Sequence, residues 1–442
     1  MKVTVLGKLC ALLLLVFVLT QCTTPTAAPA PTSAPVAQAT AASKPTTAPQ
    51  AAEKILKVGV DAPLTGPSAR TGQEFKCSIE MAFEKIGYKI GDYKVQLVWI
   101  DDQSDPEKGS RGYEQAIVQD GIQTGLANWN SSVAVALMDL AAKYKIPHFF
   151  AFGATEVINN KYKSDPQKYG YWIGKFWPVP ATLTGGYVTA VEEAITKGTW
   201  KPRNKIAAVF AEDTDWGRSF GKGMKDKLKA AGWTVADEQY FPYDQTDFYP
   251  LLNKFKSADV SLLAGTISAP PSVSAFIKQA DEVGVKATII ADGLGWVGEW
   301  YKLTGKSSDY VIDQIPAWTT DAAKKFVTDF KAKCNIDPSP SGAGLSYDAA
   351  NYFIQVAKNT LAKSGSLNKD TLYQYAKDNV VTGKDTYKDG IVMQEYKYTP
   401  ETSPDPVVGK GFYTFPVLQY FGGDGKVVWP AEWKVTDLKP KP

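Results

Sequence analysis

The spacing of apolar positions changes along the chain in a regular order, and that order predicts the elements. From Lys54 a short apolar run at 55–60 reads as a buried strand, and residues 72–86 are apolar at helical spacing. Alternation at 93–101 predicts a second strand. Asp105-Pro106 is a helix start, Asp as cap and Pro at the first helical position, with the helix running to about 119. A strand at 122–127, a helix at 132–144 and a strand at 148–152 follow. The order then restarts: strand 205–210, helix 217–231 stopped by Gly232, strand 233–240, a helix capped by Asp247 and running to 256, strand 260–265, helix 272–284 and strand 287–291. Helices at 322–334 and 347–362 and strands at 417–421 and 426–429 complete the pattern. Strand–helix alternation at this spacing implies parallel pairing through right-handed crossovers. The expected fold class is therefore α/β, with two units of similar plan.

Residues 1–53 follow other rules. Lys2 and Lys8 precede an unbroken apolar run from Leu9 to Leu19. A spanning helix needs about 20 residues, so this run reads as a signal segment, 1–22. It ends in Leu19-Thr20-Gln21-Cys22, which resembles a bacterial lipobox with Cys22 as the acylated residue; Gln21 departs from the small residue usual there. Residues 23–53 are rich in Thr, Ala and Pro, with no aromatics. That composition does not bury enough apolar surface to offset its ordering entropy, so it is expected to be a disordered tether. The chain is thus expected to be exported, and either lipid-anchored to the outer face of the cell membrane or periplasmic.

Composition narrows the function. The 442 residues, 44% hydrophobic, are too many for one ordinary core and imply two domains. A net charge of +3 offers no basic field for nucleic acid. With His148 the single histidine, neither a metal site nor a cofactor is expected. Ligands of open parallel sheets bind beyond the carboxyl ends of the strands. Trp129, Trp216 and Trp296 all lie just past predicted strand ends; contact with an organic ligand explains Trp129 and Trp216 better than core filling, while Trp296 fits either reading equally.

Enzymatic motifs fail on context. Gly217-Arg218-Ser219-Phe220-Gly221 matches a nucleophile elbow, but Ser219 lies too far past its strand, and His148 sits in the apolar run 146–150 as a half-buried side chain. Gly293-Leu294-Gly295-Trp296-Val297-Gly298 matches a dinucleotide fingerprint, but no full crossover helix follows, and Trp296 crowds the pyrophosphate position. Thr304-Gly305-Lys306-Ser307 lacks the first glycine of a P-loop. Asp101, Asp102 and Asp105 lack the glycine of a calcium loop and read as strand end and helix cap. Cys77 and Cys334 have the option of pairing in an oxidising compartment, but two buried thiols are the reading taken.

Six landmarks carry a family resemblance: Pro63-Leu64-Thr65-Gly66-Pro67-Ser68-Ala69 with Gly72; Asp101-Asp102 with Asp105-Pro106; Asn130-Ser131-Ser132-Val133-Ala134; Ile146-Pro147 leading to Gly153-Ala154-Thr155; Glu212-Asp213-Thr214-Asp215-Trp216-Gly217; and Tyr347-Asp348-Ala349-Ala350. In order and spacing they resemble the type I periplasmic binding proteins of bacterial ABC importers, in the branched-chain amino-acid binding family. The resemblance implies two Rossmann-like lobes joined by three crossover strands near 174–177, 314–316 and 388–391. Lobe 1 would be 54–176 and 317–388; lobe 2 would be 177–316 and 389–442. It further implies that Asn130, Ser131, Ala154 and Thr155 meet a ligand carboxylate, that Trp216 covers the ligand, and that Asp292 faces an ammonium group.

With Trp129, Gly153 and Thr266 at strand ends, these residues make the expected binding site. The expected function is that of a monomeric, non-enzymatic solute-binding lipoprotein. It would hold an amino acid of branched-chain type by hinge closure and pass it to a membrane permease, with an aromatic acid, amide or urea-like solute as the alternative ligand. A ligand sensor on the same fold is the alternative.

Overall fold

The computed structural model describes residues 53–441. The signal segment, Cys22 and almost all of the tether lie outside the described residues. The first sheet holds β1 (Lys54–Ala62), β2 (Lys89–Ile90), β3 (Tyr93–Asp101), β4 (Thr124–Leu126), β5 (His148–Ala151) and β6 (Trp172–Lys175). The second holds β7 (Ile206–Glu212), β8 (Thr234–Phe241), β9 (Leu262–Thr266), β10 (Thr288–Asp292), β11 (Ile312–Gln314), β12 (Val417–Phe421) and β13 (Asp424–Trp429).

The parallel parts of the two sheets share one strand order. The first runs β3-β1-β4-β5-β6 and the second β8-β7-β9-β10-β11, with β2 added antiparallel to one edge and β12-β13 to the other. In each, the order reverses beside the first strand, which leaves a crevice at the carboxyl ends of β1/β4 and of β7/β9. Strands β7, β9 and β10 are almost wholly buried, because helices cover both faces, and their sequences are near-continuous apolar runs. Edge strand β8 is mostly half-buried and carries Asp237, Glu238 and Gln239.

The local signals act as read. Asp105 caps the helix Pro106–Gln115 by accepting from the backbone N–H of Glu107 and Lys108 at 2.8 and 2.9 Å. Asp101 accepts from Thr65, N–H and hydroxyl, and so ties down the loop after β1. Ser219 lies within the helix Asp215–Ala230, and the glycines after β10 lead only to the five-residue helix Trp300–Thr304.

Three expectations need correction. His148 is fully, not half, buried: it stacks on Trp172 at 4.3 Å, contacts Tyr113 Oη at 3.1 Å, and burial lowers its pKa to about 4. Cys77 and Cys334 form a disulfide, because the helices Ala69–Lys85 and Asp321–Cys334 pack side by side with the two Cα atoms 6.4 Å apart. The return to the second sheet does not occur at 388–391. The N–H groups of Ile391 and Val392 donate to Asp348, Tyr398 donates to the Lys175 carbonyl at 2.9 Å, and Lys175 N–H donates to Pro404. The chain reaches the second sheet only at β12. Buried Tyr396, Tyr398 and Tyr413 explain the delay: each needs a dry site with a hydroxyl partner, and Asp348 and the main chain at Lys175 and Phe176 supply them.

Candidate functional site

A cavity of about 290 Å³ lies where the two crevices face each other. The loop after β4 and the start of the helix Ser131–Tyr144 contribute Trp129, Asn130, Ser131 and Ser132; the end of β7 and the start of the helix Asp215–Ala230 contribute Glu212, Asp213, Thr214 and Trp216. Tyr243, Ser268 and Trp296 follow β8, β9 and β10, while Trp177 stands where the chain leaves the first sheet. The strand-end rule thus accounts for most of the wall.

Indole rings dominate it. Trp296 meets Trp129 at 5.3 Å between ring centres and 89° between planes, Trp177 at 5.4 Å and 73°, and Trp216 at 5.7 Å and 58°. Trp216 is oriented by its N–H, which donates to Thr266 Oγ1 at 2.8 Å. Gly217 allows the loop to fold so tightly: a Cβ there would stand 1.9 Å from the Glu212 carbonyl oxygen. Gly217→Ala is therefore expected to displace the Glu212–Trp216 loop and to lower both melting temperature and solute affinity, measured by calorimetry.

Several hydrogen bonds cross between the units. Asn130 Nδ2 donates to Tyr243 Oη at 2.9 Å, Asp215 N–H donates to Ser132 Oγ at 3.1 Å, and the hydroxyls of Thr155 and Ser219 lie 2.8 Å apart. Farther out, Arg70 pairs with Glu299, and Lys302 with Asp337 at 2.5 Å.

Of the residues expected to form the site, Trp129, Asn130, Ser131 and Trp216 line the cavity. Gly153, Ala154, Thr155, Thr266 and Asp292 stand outside its lining. Gly153 N–H donates to Asn128 Oδ1 and Ala154 N–H to Ser131 Oγ, while Thr155 caps the helix Glu156–Ser164. Asp292 is turned inward, accepting from Tyr187 at 2.6 Å, and burial together with neighbouring Asp313 raises its pKa well above the carboxylate range. Tyr243, Ser268 and Trp177 are lining residues that the sequence reading did not single out. Tyr243 and Ser268 follow strand ends, so the same rule reaches them.

Glu212 is buried and lines the cavity. It accepts from Ser268 N–H, Ser268 Oγ and Thr214 Oγ1, and burial raises its pKa to about 7. Burial likewise raises Glu74 and Asp348 to about 7 each. Groups raised in the folded state favour folding below their unfolded values, near 4, and that contribution is lost as pH rises through 7. Melting temperature is thus expected to fall between pH 5 and 8 on account of these three groups. Thermal melts of Glu74→Gln, Glu212→Gln and Asp348→Asn together test this: an unchanged pH slope refutes it.

Comparison with known proteins agrees with this architecture. The family described as periplasmic binding protein matches residues 55–397. The chain belongs to that family, as a type I member of its branched-chain amino-acid binding group. It is 26% identical over 326 residues to the Leu/Ile/Val-binding protein BraC3 of Rhizobium johnstonii, covering 70% of this chain and 80% of the relative. It is 23% identical over 235 residues to Leu/Ile/Val-binding protein homolog 6 of Brucella suis, covering 53% of this chain. That match spans only 56% of the relative's own length. Among solved structures, a solute-binding protein of an ABC transporter from Rhodopseudomonas palustris, in complex with 3,4-dihydroxybenzoic acid, superposes with a TM-score of 0.68 at 20% identity, covering 84% of this chain and 95% of that one. A leucine-binding protein from Thermotoga maritima gives 0.65 at 19% identity, covering 84% and 97%. No helix among the described residues is long and apolar enough to cross a membrane.

Proposed function

We propose that this protein is the extracytoplasmic solute-binding component of an ABC importer. It captures a small organic solute between its lobes, acts as a monomer tethered through Cys22, and delivers the solute to a membrane permease without altering it. The observation that carries this reading is the cavity itself, walled by residues from both sheets and closed by hydrogen bonds between them. A ligand touching both walls stabilises the closed arrangement by its differential affinity for it, which is the physical basis of hinge closure. The Leu/Ile/Val-binding relatives support an amino acid as solute, while the dihydroxybenzoate-bound neighbour supports an aromatic one.

A thermal-shift screen over amino acids, aromatic acids, amides and amines tests the reading, because a solute that binds only the folded chain stabilises it by RT ln(1 + [L]/Kd) and so raises the melting temperature. Two variants locate the site. Trp216→Ala removes a wall and is expected to weaken binding strongly. Thr155→Ala removes a cap and the contact with Ser219, and is expected to weaken binding modestly at a stability cost of about 1 kcal/mol. Unchanged affinity in both would place the site elsewhere.

A further inference from the structure

We propose that the solute carries an organic ammonium group, seated among Trp129, Trp177, Trp216 and Trp296 and paired with the carboxylate of Glu212; this narrows, and rests on, the solute-binding reading above. The indole planes meet at steep angles, so they form a corner rather than a stack. An aliphatic solute has no need of four indoles. A cation gains from each ring face within about 6 Å, and most where water is excluded.

Charge points the same way. The lining holds two carboxylates, Glu212 and Asp213, and no Lys, Arg or His. Asp213 is half exposed and paired with Arg218 at 2.7 Å. Glu212 is 1% exposed and forms no ion pair among the described residues. A buried carboxylate bonded only by hydroxyls and one N–H lacks its countercharge. An ammonium supplied by the solute provides that charge and draws the carboxyl back toward its ionised form.

The groups that the family resemblance assigns to a carboxylate are already engaged: Ala154 N–H with Ser131 Oγ at 3.0 Å, and Thr155 with Ser219. Ser132 Oγ accepts from Asp215 N–H. Buried Asn130 Oδ1 has no donor, while the indole N–H groups of Trp177 and Trp296 have no acceptor. A small ammonium that also bears a neutral hydroxyl or carbonyl answers both needs.

The test uses the wild-type chain and four probes in calorimetry: choline, its neutral carbon isostere dimethylbutanol, leucine and benzoate. Choline is expected to bind roughly thirtyfold tighter than the isostere. Glu212→Gln, which keeps the shape of the side chain, is expected to lose most of that preference while its melting temperature stays near wild type. If the isostere or benzoate binds as tightly as choline, or if leucine binds and Glu212→Gln leaves its affinity unchanged, the ammonium assignment is overturned and the solute-binding reading stands. If no probe and no solute of the wider screen binds, both are overturned.

Discussion

Replacing Trp296 by alanine is expected to abolish solute binding and to lower stability by about 3–5 kcal/mol, the usual cost of truncating a buried aromatic. Trp296 is 5% exposed and touches each of the other three tryptophans of the cavity. Its backbone has little freedom to collapse into the space left. Gly293 before it sits at a φ of 113°, where a Cβ would stand 2.2 Å from the Ile267 carbonyl oxygen. Gly295 N–H is held by Asp313 Oδ2 at 2.7 Å. A pinned segment leaves a void, and a void costs more than a site that relaxes. Urea unfolding gives the stability change and calorimetry the affinity. Wild-type affinity in a folded variant would remove Trp296 from the site.

The second large effect is expected from Cys77→Ser combined with Cys334→Ser. The bond joins residues 257 apart in sequence, and removing it is expected to cost about 2–5 kcal/mol, chiefly because the unfolded chain regains the freedom of a long loop. Affinity is expected to stay at the wild-type level, since neither cysteine lines the cavity. This separates stability from function in one variant. A melting temperature that ignores both the substitution and added reductant would show that the pair contributes nothing to stability.

Much of the molecule was legible before the structure. Strand β3 falls on 93–101 as its alternation predicts, and β12 on 417–421. The helix at 132–144 starts one residue earlier than expected, and the parallel order follows from strand–helix alternation. Elements of this kind are set by spacing a few residues long. The helix Pro180–Thr196 escaped notice because it is apolar on nearly every face, so no amphipathic period marks it.

The site was legible only in part, for a related reason. Trp129 and Trp216 follow strand ends, and the topology sends strand ends toward the cleft. Whether a given group then faces the cavity or the wall behind it depends on its bonding partner. Thr266 faces Trp216 and Asp292, and Asp292 faces Tyr187, which lies 105 residues away in the chain.

The sequence by itself determined two α/β units and the loops at their mouths, because hydrophobic period, caps and strand ends are local properties of the chain. Only the tertiary structure decided that Asn130 meets Tyr243, that Cys77 meets Cys334, and that Glu212 rather than Asp292 is the buried carboxylate on the cavity wall. Those pairings join residues far apart in sequence, and no local spacing encodes how two packed bodies face each other.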